Sequence, residues 1–138
     1  MLMQELAHAL SRAERSVTRQ LARAMEEEGC TVEDSRILLL LADGRGHTMT
    51  EAAEFALVPA PSVTRIVDRM VTHGLVHRTA DPSDRRRVLV HLTPRGQALK
   101  RRLDEILQRE QHALLAGAEP AETERLLGLL GGLADRLT

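Results

Sequence analysis

The 138-residue chain has no tryptophan, no tyrosine and a single phenylalanine. Its core must therefore be packed from leucine, valine and alanine, and it lacks the aromatic platforms on which single-stranded RNA bases stack. Its one cysteine, Cys30, rules out an internal disulfide framework and a cysteine-rich zinc cluster. The histidines suggest no metal site: His73 and His77 straddle Gly74, His91 stands apart, and His8 and His112 lie near opposite ends. No apolar run approaches the roughly 18 residues of a membrane span, and the start carries no signal-peptide pattern. A cytoplasmic protein without a membrane partner is expected. A glycine-rich phosphate loop is missing, as is a nucleophile with its base and orienting group, so neither an enzyme nor a cofactor is expected.

What is present is helical periodicity interrupted by one alternating segment. In the stretch Ser62 to Met70, Val63, Ile66, Val67 and Met70 fall at helical spacing and can face inward, while Ser62, Thr64, Arg65, Asp68 and Arg69 look out. Ala60 or Pro61 opens this helix, where a missing N–H costs nothing, and Gly74 closes it in a left-handed cap. The outward set is hydrogen-bonding and cationic, on a helix of the length that reads a DNA major groove. After Gly74 the period becomes two: Leu75 to Arg78 and Val88 to Leu92 predict a β-hairpin. Its tip carries Arg85, Arg86 and Arg87, which repel one another unless an anion such as a phosphate rail or a narrow minor groove lies opposite. Asp84 is placed to orient one of them.

The net charge of −1 hides a polarised distribution. Residues 60–100 carry eight Lys or Arg against three acids, whereas residues 1–59 carry six against ten and residues 101–138 five against seven. The positive field is thus confined to the proposed reader and hairpin, the arrangement expected of a DNA-binding module carried on other elements.

Upstream, Thr48-Met49-Thr50-Glu51 reads as a capping box opening a helix from Met49 to Leu57. That helix, a break at Val58-Pro59 and the Ser62 helix form a helix-turn-helix. Thr31 caps an earlier helix containing Leu38 to Leu41, apolar on most of its surface and expected to be buried and to end at Asp43-Gly44. The first helix is expected from about Met3 to Glu28, with a stripe of Leu6, Leu10, Ala13, Val17, Leu21 and Ala24 that wants a helical partner. Helices opening at Thr93-Pro94 and Glu119-Pro120 carry similar leucine stripes.

The order of elements and these motifs together resemble the MarR family of bacterial winged-helix regulators. The matching residues are Thr48-x-x-Glu51-x-Ala53, Val63 to Arg69, Gly74-Leu75-Val76, Asp81-Pro82-x-Asp84-Arg85-Arg86 and Val90-x-Leu92-Thr93-Pro94-x-Gly96. The resemblance implies a single domain over 1–138, mainly α with a small β-hairpin wing. A winged helix-turn-helix DNA-binding lobe (31–92) would be flanked by helical dimerisation segments (1–29 and 94–138). It implies a homodimeric transcriptional regulator, usually a repressor, bound to an inverted repeat of double-stranded DNA. The reader positions fall on Pro61, Ser62, Thr64, Arg65 and Arg69; on the wing, Arg86 enters the minor groove and Asp84 holds it, flanked by Arg85 and Arg87. A small anionic or aromatic effector, or an oxidant, would alter the spacing of the two reading heads. The family often has glycine between the two helices of the motif; here Leu57-Val58-Pro59 stands instead, and a β-branched residue or proline takes a left-handed turn only at a cost.

Three features stay open at this level. Cys30, beside the start of a helix, is either an oxidant sensor whose pKa the helix dipole lowers or a small apolar residue at a junction. Arg15 and Arg36 either receive an effector carboxylate or sit in ion pairs, Glu14, Glu26, Glu27 and Glu33 being the available acids. Gly128, Gly131 and Gly132 either admit a second helix backbone or mark a frayed end. The competing overall reading is a helical protein-interaction module with weak, sequence-blind DNA affinity.

Overall fold

The computed structural model describes residues 1–138, which form two compact units, Met1–Leu107 and Gln108–Thr138. Helix α1 spans Leu2–Ala24 and buries none of its side chains fully. It stops short of the expected Glu28: Met25 turns into the core at 0% exposure, and the three glutamates that follow form one 3₁₀ turn, Glu26–Glu28. Three negative charges at the negative end of a helix dipole disfavour continuing it. Gly29, at φ 65°, reverses the chain.

Helix α2, Val32–Leu41, begins with a reciprocal cap: Thr31 Oγ1 accepts the Asp34 N–H and Asp34 Oδ2 accepts the Thr31 N–H, both at 3.0 Å. Ile37, Leu38 and Leu41 are buried as expected, but Leu39 is 56% exposed, because four successive residues on a helix cannot all face one core. Strand β1, His47–Thr48, leads into α3, Met49–Ala56. Only half of the expected capping box forms there: Thr48 Oγ1 accepts the Glu51 N–H at 3.1 Å, while the Glu51 carboxylate meets His47 Nδ1 at 2.6 Å.

The left-handed residue between the helices of the motif is Leu57, at φ 61° the only non-glycine residue with positive φ. Neither Val58 nor Pro59 has to take that conformation, and the Val58 N–H closes the turn onto the Ala53 carbonyl at 3.1 Å. Helix α4, Ala60–Thr72, has Pro61 in its first turn and buries Val63, Val67 and Met70, with Ile66 half-buried. Gly74, at φ 73°, ends it as expected.

Strands β2, Val76–Ala80, and β3, Val88–Leu92, pair antiparallel with Arg78 opposite Val90. β1 adds to the other edge of β3, His47 opposite Val90, giving the order β1-β3-β2. The hairpin was legible in the alternation; the third strand has two residues, too few for any period to show. Thr93 then ties the sheet to α5, Pro94–Leu114: its N–H donates to the Leu75 carbonyl at 3.1 Å, its hydroxyl to the Gly74 carbonyl at 2.5 Å, and it accepts the Gly96 N–H at 3.0 Å. The core of this unit joins Ile37 and Leu38 of α2, Ala52 and Ala56 of α3, Val63 and Val67 of α4, Val90 of β3 and Leu103 of α5. In the second unit, α6 runs unbroken over Pro120–Leu137, through all three glycines, and leaves Leu126, Leu127 and Leu129 exposed.

Candidate nucleic-acid interface

The inward face of α4 fixes which residues look out. With Val63, Val67 and Met70 anchored in the core, Thr64, Arg65, Asp68 and Arg69 are exposed and Ser62 is half-buried. Pro61 lies exposed in the first turn, where its lack of an N–H leaves nothing unsatisfied. The Thr64 hydroxyl donates back to the Ala60 carbonyl at 3.1 Å, which leaves its methyl and lone pairs outward. Arg65 is exposed and has no ion-pair partner.

Arg69 differs from the expectation of a free outward cation. Its guanidinium donates to Asp34, whose carboxylate is almost wholly buried and also caps α2. A carboxylate removed from water needs a cation and hydrogen bonds, and Arg69 supplies both. Asp68 is likewise engaged, accepting from Arg78 on β2. The two ion pairs fasten α4 to α2 on one side and to the wing on the other. Nothing in the sequence locates these partners, which lie 35 and 10 residues away.

The wing tip is a closed turn. The Asp81 N–H donates to the Arg87 carbonyl at 2.9 Å, and Asp81 Oδ1 accepts the Ser83 N–H at 2.9 Å. Asp84 Oδ1 accepts from the Arg86 N–H at 3.1 Å and from Arg86 Nε at 3.4 Å, so the aspartate aims this arginine as expected. The Arg86 side chain is 93% exposed, and Arg85 and Arg87 beside it are exposed and unpaired. Asp84 thus orients a guanidinium that has shed little of its solvent.

The other candidates fare differently. Arg36 donates to the Ala56 carbonyl at 3.1 Å and so serves as the C-terminal cap of α3, where a cation suits the helix dipole. Arg15 is exposed on α1. A cleft of about 520 Å³ beside α1 is lined by Arg19, Arg23, Cys30 and Glu33, and by neither member of the Arg15–Arg36 pair. Cys30 is buried, and burial first, then Asp34, pushes its thiol up to about 12. Burial overrides the dipole effect that the sensor reading would need, and the S–H donates to the Thr31 carbonyl at 3.5 Å. A thiol held in this way is protonated at neutral pH and unreactive.

The MarR family profile matches residues 28–87, from the turn before α2 to the wing tip. A protein of Thauera aromatica named for transcriptional regulation of the hcr operon is 31% identical over 127 residues, covering 91% of this chain and 76% of that protein. Among solved structures, the transcriptional repressor CouR bound to a 23-mer DNA duplex superposes with a TM-score of 0.85 at 28% identity, covering 96% of this chain and 94% of that one. BpsR of Bordetella bronchiseptica, described for the regulation of its DNA binding by 6-hydroxynicotinic acid, superposes with a TM-score of 0.82 at 25% identity, covering 94% and 92%. These matches favour the DNA-binding reading over that of an interaction module. With a helix-turn-helix, an arginine wing and relatives that cover nearly its whole length, the chain belongs to the MarR family of transcriptional regulators.

Proposed function

We propose that this regulator acts as a homodimer on an inverted-repeat operator, each copy laying α4 in a major groove and inserting Arg86 into the adjoining minor groove, and that it represses. The observation that carries this reading is a pair of cation sources that the fold leaves exposed: Arg65 on the outer face of α4, without an ion-pair partner, and the Arg85–Arg87 tip, where Asp84 pairs with Arg86 alone and aims it. Ser62 and Thr64 supply uncharged hydrogen-bonding groups beside Arg65, suited to base edges, while Arg85 and Arg87 meet phosphates. Arg69 acts mainly through Asp34, holding α4 at its angle. The second copy covers the exposed apolar residues of α1 and those of α6. The protein works in the cytoplasm, without catalysis, and a small anionic or aromatic effector releases it from DNA, as the regulation of BpsR by 6-hydroxynicotinic acid suggests by analogy.

Replacing Arg86 with Ala tests the wing. Operator affinity should fall by about 1–3 kcal/mol, and the slope of log affinity against log salt should become shallower by about one. Circular dichroism and oligomeric state should not change. Unaltered affinity and slope would remove the wing from the mechanism.

A further inference from the structure

Three acids interrupt the cationic stretch 60–100, and each has a partner. Asp81 is buried and accepts the Ser83 N–H at 2.9 Å, which closes the wing tip. Asp84 aims Arg86. Asp68 is the only acid on α4, and its carboxylate, 59% exposed on the outer face, accepts from Arg78 of β2. A carboxylate on a helix face that meets DNA is unfavourable by itself, since it opposes the phosphates. An exposed ion pair adds little to the stability of a fold, so stability alone does not account for this one.

The place of Asp68 on the helix gives the pair another meaning. Arg65 lies three residues before it, so the two side chains share a face with their Cβ atoms roughly 5–6 Å apart, the spacing at which helices form ion pairs. Arg65 nevertheless has no partner, while Asp68 turns away from it to Arg78. Arg69, the other cation of α4, is committed to Asp34. Arg78 is well anchored for its part. It stands opposite the fully buried Val90, so its side chain leaves the hairpin on the face that packs against the core, and that side chain is only 33% exposed. We infer that Arg78 is a positioning residue for DNA reading: by holding Asp68 it keeps Arg65 free for a base edge and neutralises the one carboxylate that α4 would otherwise carry into the groove. The inference rests on α4 being the major-groove element. Without Arg78, Asp68 would either take Arg65 or stand unpaired against the phosphates. Either course costs the specific complex more than a non-specific one, in which α4 is not seated against base edges.

The test compares the full-length wild type with Arg78→Gln, Arg78→Lys and the double variant Asp68→Asn/Arg78→Gln on two duplexes at about 0.15 M salt. One duplex is the inverted repeat enriched from a random pool, the other a shuffled duplex of the same composition. Arg78→Gln should lose about tenfold or more in affinity for the inverted repeat and less than about threefold for the shuffled duplex. The double variant should return to within about threefold of wild type on the inverted repeat, since the acid that captures Arg65 is then gone. Arg78→Lys, which keeps a cation beside Asp68, should also stay within about threefold. Circular dichroism should be the same for all four proteins. Equal losses on both duplexes would make Arg78 a plain phosphate contact. A double variant as weak as Arg78→Gln, or helix content lost in Arg78→Gln, would make the pair a structural brace. Any of these, or an Arg78→Gln protein that binds as wild type does, overturns the inference and leaves α4 as the reader. A wild type that binds the two duplexes alike would overturn α4 as the reader, and the inference with it.

Discussion

Single residues in this protein divide according to what faces them, and the sequence does not show which way each one goes. Arg65, Arg69 and Arg86 look equivalent as letters, yet Arg69 is drawn to buried Asp34 while Arg86 is aimed at solvent by Asp84. The Asp84–Arg86 relation was legible because it is two residues long; the Asp34–Arg69 relation crosses the core and was not. Cys30 shows the same limit, since proximity to a helix start is visible in the sequence and burial is not. Iodoacetamide should label Cys30 in the folded protein at least about a hundredfold more slowly than in urea at the same pH, because raising the thiol to about 12 depletes the thiolate. Equal rates would contradict the burial. His47 bridges Asp43, at 2.8 Å, and Glu51, at 2.6 Å. Burial works against its charge as the largest single influence, but the two carboxylates together outweigh it and raise its pKa. With the folded value above the unfolded one, its contribution is complete below the ordinary histidine range, roughly 6.5, and is lost as pH rises through the folded value. Urea unfolding should therefore show wild type losing more stability than His47→Gln between pH 6 and pH 8. Parallel profiles would mean that the bridge does not titrate there.

Elements were easier to foresee than their ends. The 3.6-residue spacing of Val63, Val67 and Met70 and the change to period two after Gly74 identified α4 and the hairpin, because one buried face imposes one period. β1 and the shortened α1 escaped, the first for want of length and the second because Met25 leaves the helix to fill the core. Two glycine-type positions set the joints. A Cβ on Gly96 would stand 2.1 Å from the Leu75 carbonyl oxygen, so Gly96→Ala must push α5 away from the sheet. It should cost roughly 1–3 kcal/mol by chemical denaturation. Leu57 occupies the left-handed position that disfavours an L side chain by roughly 1–2 kcal/mol. Leu57→Gly relieves that, partly offset by the greater freedom of glycine in the unfolded chain, and should leave stability equal or up to about 1 kcal/mol higher. A marked loss would show that the exposed leucine makes contacts worth more than its strain.

At the scale of the whole molecule, the charge map and the apolar map point to different partners. The cations concentrate on residues 60–100, the stretch proposed to meet DNA, whereas Leu2, Met3, Leu6 and Val17 of α1 and Leu126, Leu127 and Leu129 of α6 lie exposed on helices that bury none of their own residues. Replacing Leu126 and Leu130 with Asp should convert a dimer into a monomer on size exclusion and weaken operator binding through lost bivalency rather than through lost contacts. The central claim is that two copies read an inverted repeat through α4 and the wing. Selection of bound duplexes from a random pool at about 0.15 M salt tests it most directly, since non-specific attraction is then moderated but not abolished. Enrichment of an inverted repeat with half-site centres about one helical turn, roughly 34–36 Å, apart is the predicted result. A folded dimer that enriches no sequence, or enriches a single unrepeated site, would contradict it.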